Sequence, residues 1–235
     1  MNKFFNFLQF SEPWDQKIAK ILAKPFIFFN IHPNFVTLIG IILGLFTFYF
    51  YSKGDQFFAK VGSIVFFFGA CFDHIDGEVA RKLNKTSVLG HYLDHLGVCI
   101  TYIALFIGLG VWCQINTGNG YYYGIIASIS VFLIMSLRFY LERKKGGDAI
   151  MQKNFLGFEP EDILYLIIPI TFFDKIESFL YAAYIGTQIF LLITFLIVLY
   201  KIKKYSFTIN ILKIHILYIP IFCESFKIFV NCSHS

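Results

Sequence analysis

The sequence predicts an all-α integral membrane protein of about six transmembrane helices preceded by an interfacial amphipathic helix. Three observations predict it. Of the 235 residues 57% are hydrophobic and the mean hydropathy is +0.65, whereas soluble domains hold about 45–50% apolar residues. The apolar residues lie in blocks that approach the ~20 residues a helix needs to cross a bilayer. Lysine and arginine gather at alternate block ends, as cytoplasmic loops require.

The elements follow in order. The opening MNKFFNFLQF lacks the charged, apolar, then small-residue layout of a cleaved signal, so no removed leader is expected. Residues 11–30 set Lys17, Lys20 and Lys24 among Ile18, Ile21, Leu22 and Phe26. That pattern suits a helix lying in the membrane interface, and it also describes an ordinary solvated terminal helix. Spans are expected near 34–52, 57–80, 89–113, 120–141, 161–174 and 176–200. The fifth is short and the turn after it, 173–176, is tight. Glycines inside the spans, such as Gly40, Gly44, Gly69 and Gly110, permit close helix approach. In the tail, residues 209–223 are apolar but broken by Lys213 and His215, which favours an interfacial helix over a seventh crossing. The chain thus divides into an N-terminal interfacial region (1–33), a six-span domain (34–204) and a tail (205–235).

Charge sets the orientation. Lys3, Lys17, Lys20 and Lys24 precede the first span, Arg81, Lys82 and Lys85 follow the second, Arg138, Arg143, Lys144, Lys145 and Lys153 border or follow the fourth, and Lys201, Lys203 and Lys204 follow the sixth. The opposite side holds Lys53, Lys60 and Lys175. Both ends of the six-span core are therefore expected in the cytoplasm. The net charge of +5 suits anionic lipid surfaces, and no nucleic-acid partner is expected. Five cysteines form no CxxC pair, and Cys71, Cys99 and Cys113 read as small hydrophobes, so no disulfide framework is implied.

The chemistry concentrates in CFDHIDGEVARKLNKTSVLGHYLDHLGV, residues 71–98. Asp73 and Asp76, three apart on a helix, share a face. Gly77 and Ala80 fall four residues after them, so two carboxylates alternate with two nearly absent side chains. Arg81 adds a planar fork suited to phosphate oxygens. Gly90 and Asp94 repeat the spacing of four on the next span. Ionisable groups at membrane depth cost roughly 2.5–3.5 kcal/mol each on insertion scales, and a divalent cation gathers carboxylates that would otherwise repel. The plain alternative is that isolated Asp residues cap helices and that Asp-Gly marks a turn. Arg81 with carboxylates from two helices describes a site for a metal-bound phosphate ester.

The run D-x2-D-G-x2-A-R-x8-G-x3-D resembles the signature of the CDP-alcohol phosphotransferase family, which continues with x3-D. HPNFVT adds a second likeness, since Pro33, Asn34 and Thr37 open the first span as Pro-Asn-x-x-Thr often does in that family. Alone it would also pass for a helix start capped by Asn34. With the six spans and the interfacial helix, the resemblance covers residues 11–200. It implies a membrane transferase of phospholipid biosynthesis. Its partners would be a CDP-linked lipid donor, by analogy CDP-diacylglycerol, a small polar alcohol acceptor and membrane lipids, often with a homodimeric assembly. CMP would leave at a cytoplasmic site that uses Mg2+ or Mn2+. Asp73, Asp76 and Asp94 would be metal ligands, and Gly77, Ala80, Arg81 and Thr37 would contact the CDP portion.

The pattern breaks at Val98, where the family has its fourth aspartate, the proposed base for the acceptor hydroxyl. General-base help is worth roughly 10²–10⁴-fold, so its loss allows slow turnover. His95, three before Val98, faces that position, and His91, three before Asp94, lies close to the same face. Either histidine can act as a base near neutral pH, and either can equally be an interfacial side chain bonded to backbone or lipid phosphate. His74 is expected off the carboxylate face, and Glu78 reads as a plain solvated charge at the cytoplasmic edge. Arg138 and the loop 143–162 are acceptor-binding candidates, with positive-inside anchoring as the plain explanation. Val98 also supports a second class, a catalytically impaired relative that binds CDP-lipid or metal as a regulatory or partner protein. A cation carrier is disfavoured because the carboxylates cluster at one membrane edge instead of lining a path.

Overall fold

The computed structural model describes residues 14–145 and 160–231. Helices α1 (Trp14–Phe28), α2 (Pro33–Tyr51), α3 (Gln56–Lys82), α4 (Val88–Thr117) and α5 (Tyr121–Lys145) come first; a 3-10 segment (Pro160–Leu166), α6 (Ile167–Phe172) and α7 (Ile176–Asn231) follow, with no strand among the described residues. Two compact units emerge, 1–191 and 192–235. In the second, the backbone of α7 stays helical to Asn231, so the tail begins as a continuation of the last span. The opening residues 1–13 and most of the loop 143–162 lie outside the described residues.

Among the described residues five helices are long and apolar enough to cross a membrane: α2, α3, α4, α5 as far as Glu142, and α7 as far as Lys203. The segment expected as the fifth span, 161–174, is instead a 3-10 segment followed by the six-residue α6. Pro169 has no N–H to give the Tyr165 carbonyl four residues back, so the 3-10 segment and α6 lack that α-helical bond at their junction. Long-range hydrogen bonds then fix the short piece. The Tyr51 and Thr171 hydroxyls are 2.9 Å apart, and Gln56 Nε2 donates to the Thr171 carbonyl at 2.6 Å.

Three helix starts have a local cause. His32 caps α2, its Nδ1 accepting from the Asn34 N–H at 3.3 Å with Pro33 in the first turn. The cap is therefore His32, two residues before Asn34. Asp55 accepts from the N–H groups of Phe57 and Phe58 at the start of α3, and Ser87 Oγ accepts from the Gly90 N–H at the start of α4. Helix α2 packs on α3 and α4, α4 packs on α5, and α3 also meets α1, α4 and α6. Gly44 lets α2 and α4 touch, because a Cβ there would lie 2.7 Å from Thr101 Oγ1.

Helix α1 has the expected amphipathic make-up and buries its small side chains. Ala19 and Ala23 pack with Val36, Ile75 and Val79, while Lys17, Lys20 and Lys24 are exposed. A larger core of Tyr51, Phe66, Leu105, Phe106, Leu109 and Ile176 joins the spans further along. Many other apolar side chains, Phe35, Leu45 and Phe68 among them, stay exposed on the outer faces, as side chains that meet lipid do.

Candidate phosphotransfer site

The end of α3, the start of α4 and the start of α2 meet around three adjoining cavities. One of about 330 Å³ is lined by Thr37, Asp76, Gly77, Ala80, Arg81 and Asp94, together with Asn34 and His91. A second of about 360 Å³ holds Asp73, His74, Glu78, Arg81 and Asp94, with Gln16 and Lys20 of α1 on its wall. The third, about 20 Å³ and so roomy enough for a single water, is bounded by Thr37, Asp73, Asp76, Val98 and Thr101. Each pair of the three aspartates thus shares a cavity.

Asp76 is the most buried of them, 3% exposed. A carboxylate so enclosed needs a hydrogen-bond partner, and Thr37 Oγ1 donates to its Oδ2 at 2.5 Å. The Pro-Asn-x-x-Thr and Asp-x2-Asp-Gly segments are therefore joined side chain to side chain. Asn34 takes part as well: a Cβ at Gly90 would come within 3.3 Å of Asn34 Oδ1 and 3.1 Å of Ser87 Oγ. Gly90 is the point where the first turn of α4 closes on the first turn of α2.

Arg81 lies over Gly77, where an added Cβ would be 3.5 Å from its Nη1. Its Nη2 donates to Glu78 Oε2 at 3.0 Å, and Lys82 Nζ is 4.0 Å from the other oxygen. Glu78 is 6% exposed, not the solvated charge that its place at the cytoplasmic edge suggested. Its i,i+3 and i,i+4 spacing to Arg81 and Lys82 was the available signal. His74, expected off the carboxylate face, lines the second cavity. Lys85, also on the wall of the first, donates to Asn30 Oδ1 at 2.7 Å and so ties the α3–α4 loop to the α1–α2 link.

The two histidines near Val98 have different surroundings. His91 Nε2 is 4.0 Å from Glu142 Oε1 of α5 while its side chain borders the cavity of Asp76 and Asp94. His95 stacks flat on Phe139 at 4.1 Å, its Nε2 sits 3.7 Å from Cys99 Sγ, and it lines none of the three cavities. Arg138 borders a separate, mostly apolar cavity of about 360 Å³ with Met135, Leu164 and Phe179, away from the carboxylates.

Among the described residues no three His, Cys, Asp or Glu side chains already stand together as a metal-holding group. The three carboxylates, each pair of which borders a common cavity, nevertheless suit a hard divalent cation, with His74 and His91 as the softer groups on the walls.

The CDP-alcohol phosphatidyltransferase family model matches residues 30–211, which takes in α2, the carboxylate run and the remaining spans. This chain belongs to the CDP-alcohol phosphatidyltransferase family. Relatives of this phosphatidyltransferase-family chain include a phosphatidylinositol phosphate synthase of Streptomyces avermitilis, 29% identical over 124 residues, which are 52% of this chain and 47% of that protein. An uncharacterized class-I family protein of Dictyostelium discoideum is 29% identical over 142 residues, 54% of this chain and 34% of its own length. The match to an Aquifex aeolicus protein spans 61% of it. The chain thus spans about half the length of the relatives it matches. In fold it is similar to the crystal structure of Mycobacterium tuberculosis phosphatidylinositol phosphate synthase with CDP-DAG bound, with a TM-score of 0.54, 18% identity, and coverage of 80% of this chain and 92% of that one. Family and apolar helices together make the chain a multi-pass membrane protein.

Proposed function

We propose that the protein transfers the phosphatidyl group of CDP-diacylglycerol to a small polar alcohol and releases CMP, with Mg2+ or Mn2+, at the cytoplasmic face of its membrane. One observation carries this reading: Asp73, Asp76, Asp94 and Arg81 border the same adjoining cavities, with Thr37 bonded to Asp76 at their centre. Family membership supports the donor class, and the lysine and arginine distribution supports the orientation.

Asp73, Asp76 and Asp94 would hold the divalent cation. When bound, it neutralises charge that develops on the transferring phosphate. The chain's own residues do the rest. Thr37 fixes the orientation of the Asp76 carboxylate. Gly77 and Ala80 leave the backbone of α3 open to the CDP portion, and Arg81 offers it donors in a fixed plane. The acceptor hydroxyl oxygen forms a bond to the lipid-bearing phosphorus as the bond from that phosphorus to the CMP phosphate oxygen breaks. CMP leaves with that electron pair, and the hydroxyl proton passes to a base. His91 is our first candidate for that base, since it lines the cavity wall with Glu142 4.0 Å away. The packing of His95 on Phe139 makes it the weaker of the two candidates.

Val98 favours the second reading, a member that binds CDP-lipid without efficient turnover, because an apolar group borders the space of Asp73 and Asp76. CMP release by the purified full chain decides between them. With CDP-diacylglycerol, Mn2+ and a panel of glycerol 3-phosphate, serine, inositol and inositol phosphate, the transferase gives release that depends on one acceptor and is abolished in Asp76→Asn. Metal-dependent binding of the donor without release by any acceptor would establish the binding protein instead.

A further inference from the structure

The interfacial helix does more than rest against the spans. Gln16, Ala19 and Lys20 fall at i, i+3 and i+4 of α1 and share one face. Ala19, 2% exposed, packs with Ala23 on Ile75 and Val79 of α3, and side chains this short bring the two helices close. Their contact carries Gln16 and Lys20 to the cavity of Asp73, Asp94 and Arg81. Lys17 and Lys24, on the same helix, line none of the three cavities. Helix α1 therefore singles out one lysine for the site and leaves its neighbours to the headgroups.

We propose that Lys20 of α1 and Arg81, the latter held by the buried Glu78, form a two-cation clamp for the diphosphate of the CDP-linked donor, so that the interfacial helix is a wall of the donor site. The inference rests on the transferase reading above for the identity of the ligand. Glu78 engages one terminal nitrogen of the guanidinium, and the remaining N–H donors of Arg81 stay available to phosphate oxygens. Glu78 is in this sense a positioning residue: it aims Arg81 across Gly77 without touching the ligand. Lys20 and Arg81 both line this cavity, where their positive charges would meet a doubly anionic diphosphate. Gly77 and Arg81 also line the neighbouring cavity of Ala80, so the clamp is continuous with the surface assigned to the CDP portion.

Binding is measured first, as equilibrium binding of CDP-diacylglycerol to the full chain in detergent with Mn2+, and CMP release second. Lys20→Ala is expected to weaken donor binding about tenfold, as loss of a charge-assisted contact does, and to raise the donor KM while the acceptor KM stays within twofold. Lys20→Arg restores binding, and Lys17→Ala matches the wild type. Glu78→Gln raises the donor KM as well and is not additive with Arg81→Lys. An unchanged donor affinity in Lys20→Ala would reduce Lys20 to a membrane anchor and overturn the proposal. A rise in acceptor KM alone would also overturn it, by giving the clamp to the acceptor phosphate. Donor binding by the wild type without CMP release would refute the transferase reading while the Lys20 comparison still stands or falls on affinity. A wild type that binds no CDP-linked lipid would overturn both.

Discussion

Thr37 and Asp76 are joined by a 2.5 Å hydrogen bond across 39 residues of chain, and this bond locks the start of α2 to the end of α3. Thr37 is 7% exposed and Asp76 is 3% exposed, so removing the hydroxyl takes a donor from a largely buried carboxylate. A buried carboxylate that loses its donor costs about 1–3 kcal/mol, more for the charged form. Thr37→Val is expected to lower CMP release about tenfold or more, whereas Thr37→Ser keeps most of it. Turnover rates of the two variants under saturating donor check this, and equal losses in both would mean that the methyl packing matters instead of the hydroxyl.

The absent fourth aspartate yields a sharper test. Val98 borders the water-sized cavity of Asp73 and Asp76, so Val98→Asp places a third carboxylate on that small space. If His91 serves as the base, adding a carboxylate to the otherwise unchanged protein alters CMP release less than about tenfold, because the proton already has an acceptor. His91→Ala then lowers kcat about a hundredfold, and Val98→Asp in that background recovers much of the loss. Glu142→Gln gives a smaller loss than His91→Ala, since it acts only through the histidine. A large gain from Val98→Asp alone would show that the natural chain works without a base.

The carboxylate arrangement was legible in the sequence for a simple reason. Helical periodicity alone puts Asp73, Asp76, Gly77 and Ala80 on one face, and the spacing of Gly90 from Asp94 does the same on the next helix. For Glu78 the local spacing to Arg81 and Lys82 signalled the ion pairs, but that it shares a cavity with Gln16 and Lys20 depends on α1, some sixty residues earlier, which no local pattern reports. The same holds for the segment 161–174. Its apolar composition suggests a span, but Pro169 and the bonds from Tyr51 and Gln56 to Thr171 decide its form, and those bonds bridge more than a hundred residues. The choice between His91 and His95 lay in α5, where Phe139 meets both rings but stacks flat only on His95, and Glu142 stands beside His91.

The donor set makes the proposed metal dependence testable. Three carboxylates around shared cavities repel one another without a cation between them, so a divalent ion should stabilise the fold as well as enable turnover. Thermal unfolding of the wild type in detergent should shift upward with millimolar Mg2+ or Mn2+ and return on chelation. Asp73→Asn and Asp94→Asn should each weaken that shift and lose CMP release. A shift that persists unchanged in both variants would locate the ion elsewhere.

The packing of α2 on α4 gives a prediction independent of chemistry. A Cβ at Gly44 would lie 2.7 Å from Thr101 Oγ1 and 2.9 Å from the Thr101 Cα, and a backbone atom cannot swing aside as a side-chain tip can. Relief requires α2 to move off α4, and overpacking of this kind costs typically about 1–3 kcal/mol. The displacement would not stay local. Thr101 and Gly97 border the small cavity with Val98, Asp73 and Asp76, and Thr37 lies two turns before Gly44 on the same helix. Gly44→Val should therefore lower the unfolding temperature and also weaken the Thr37–Asp76 bond, so that CMP release falls together with stability. Gly186, where an added Cβ meets nothing within 4 Å, is the control, and Gly186→Ala should change neither. Parallel melting and activity measurements check this, and a Gly44→Val protein as stable and active as the wild type would show that α2 and α4 can part without disturbing the carboxylates.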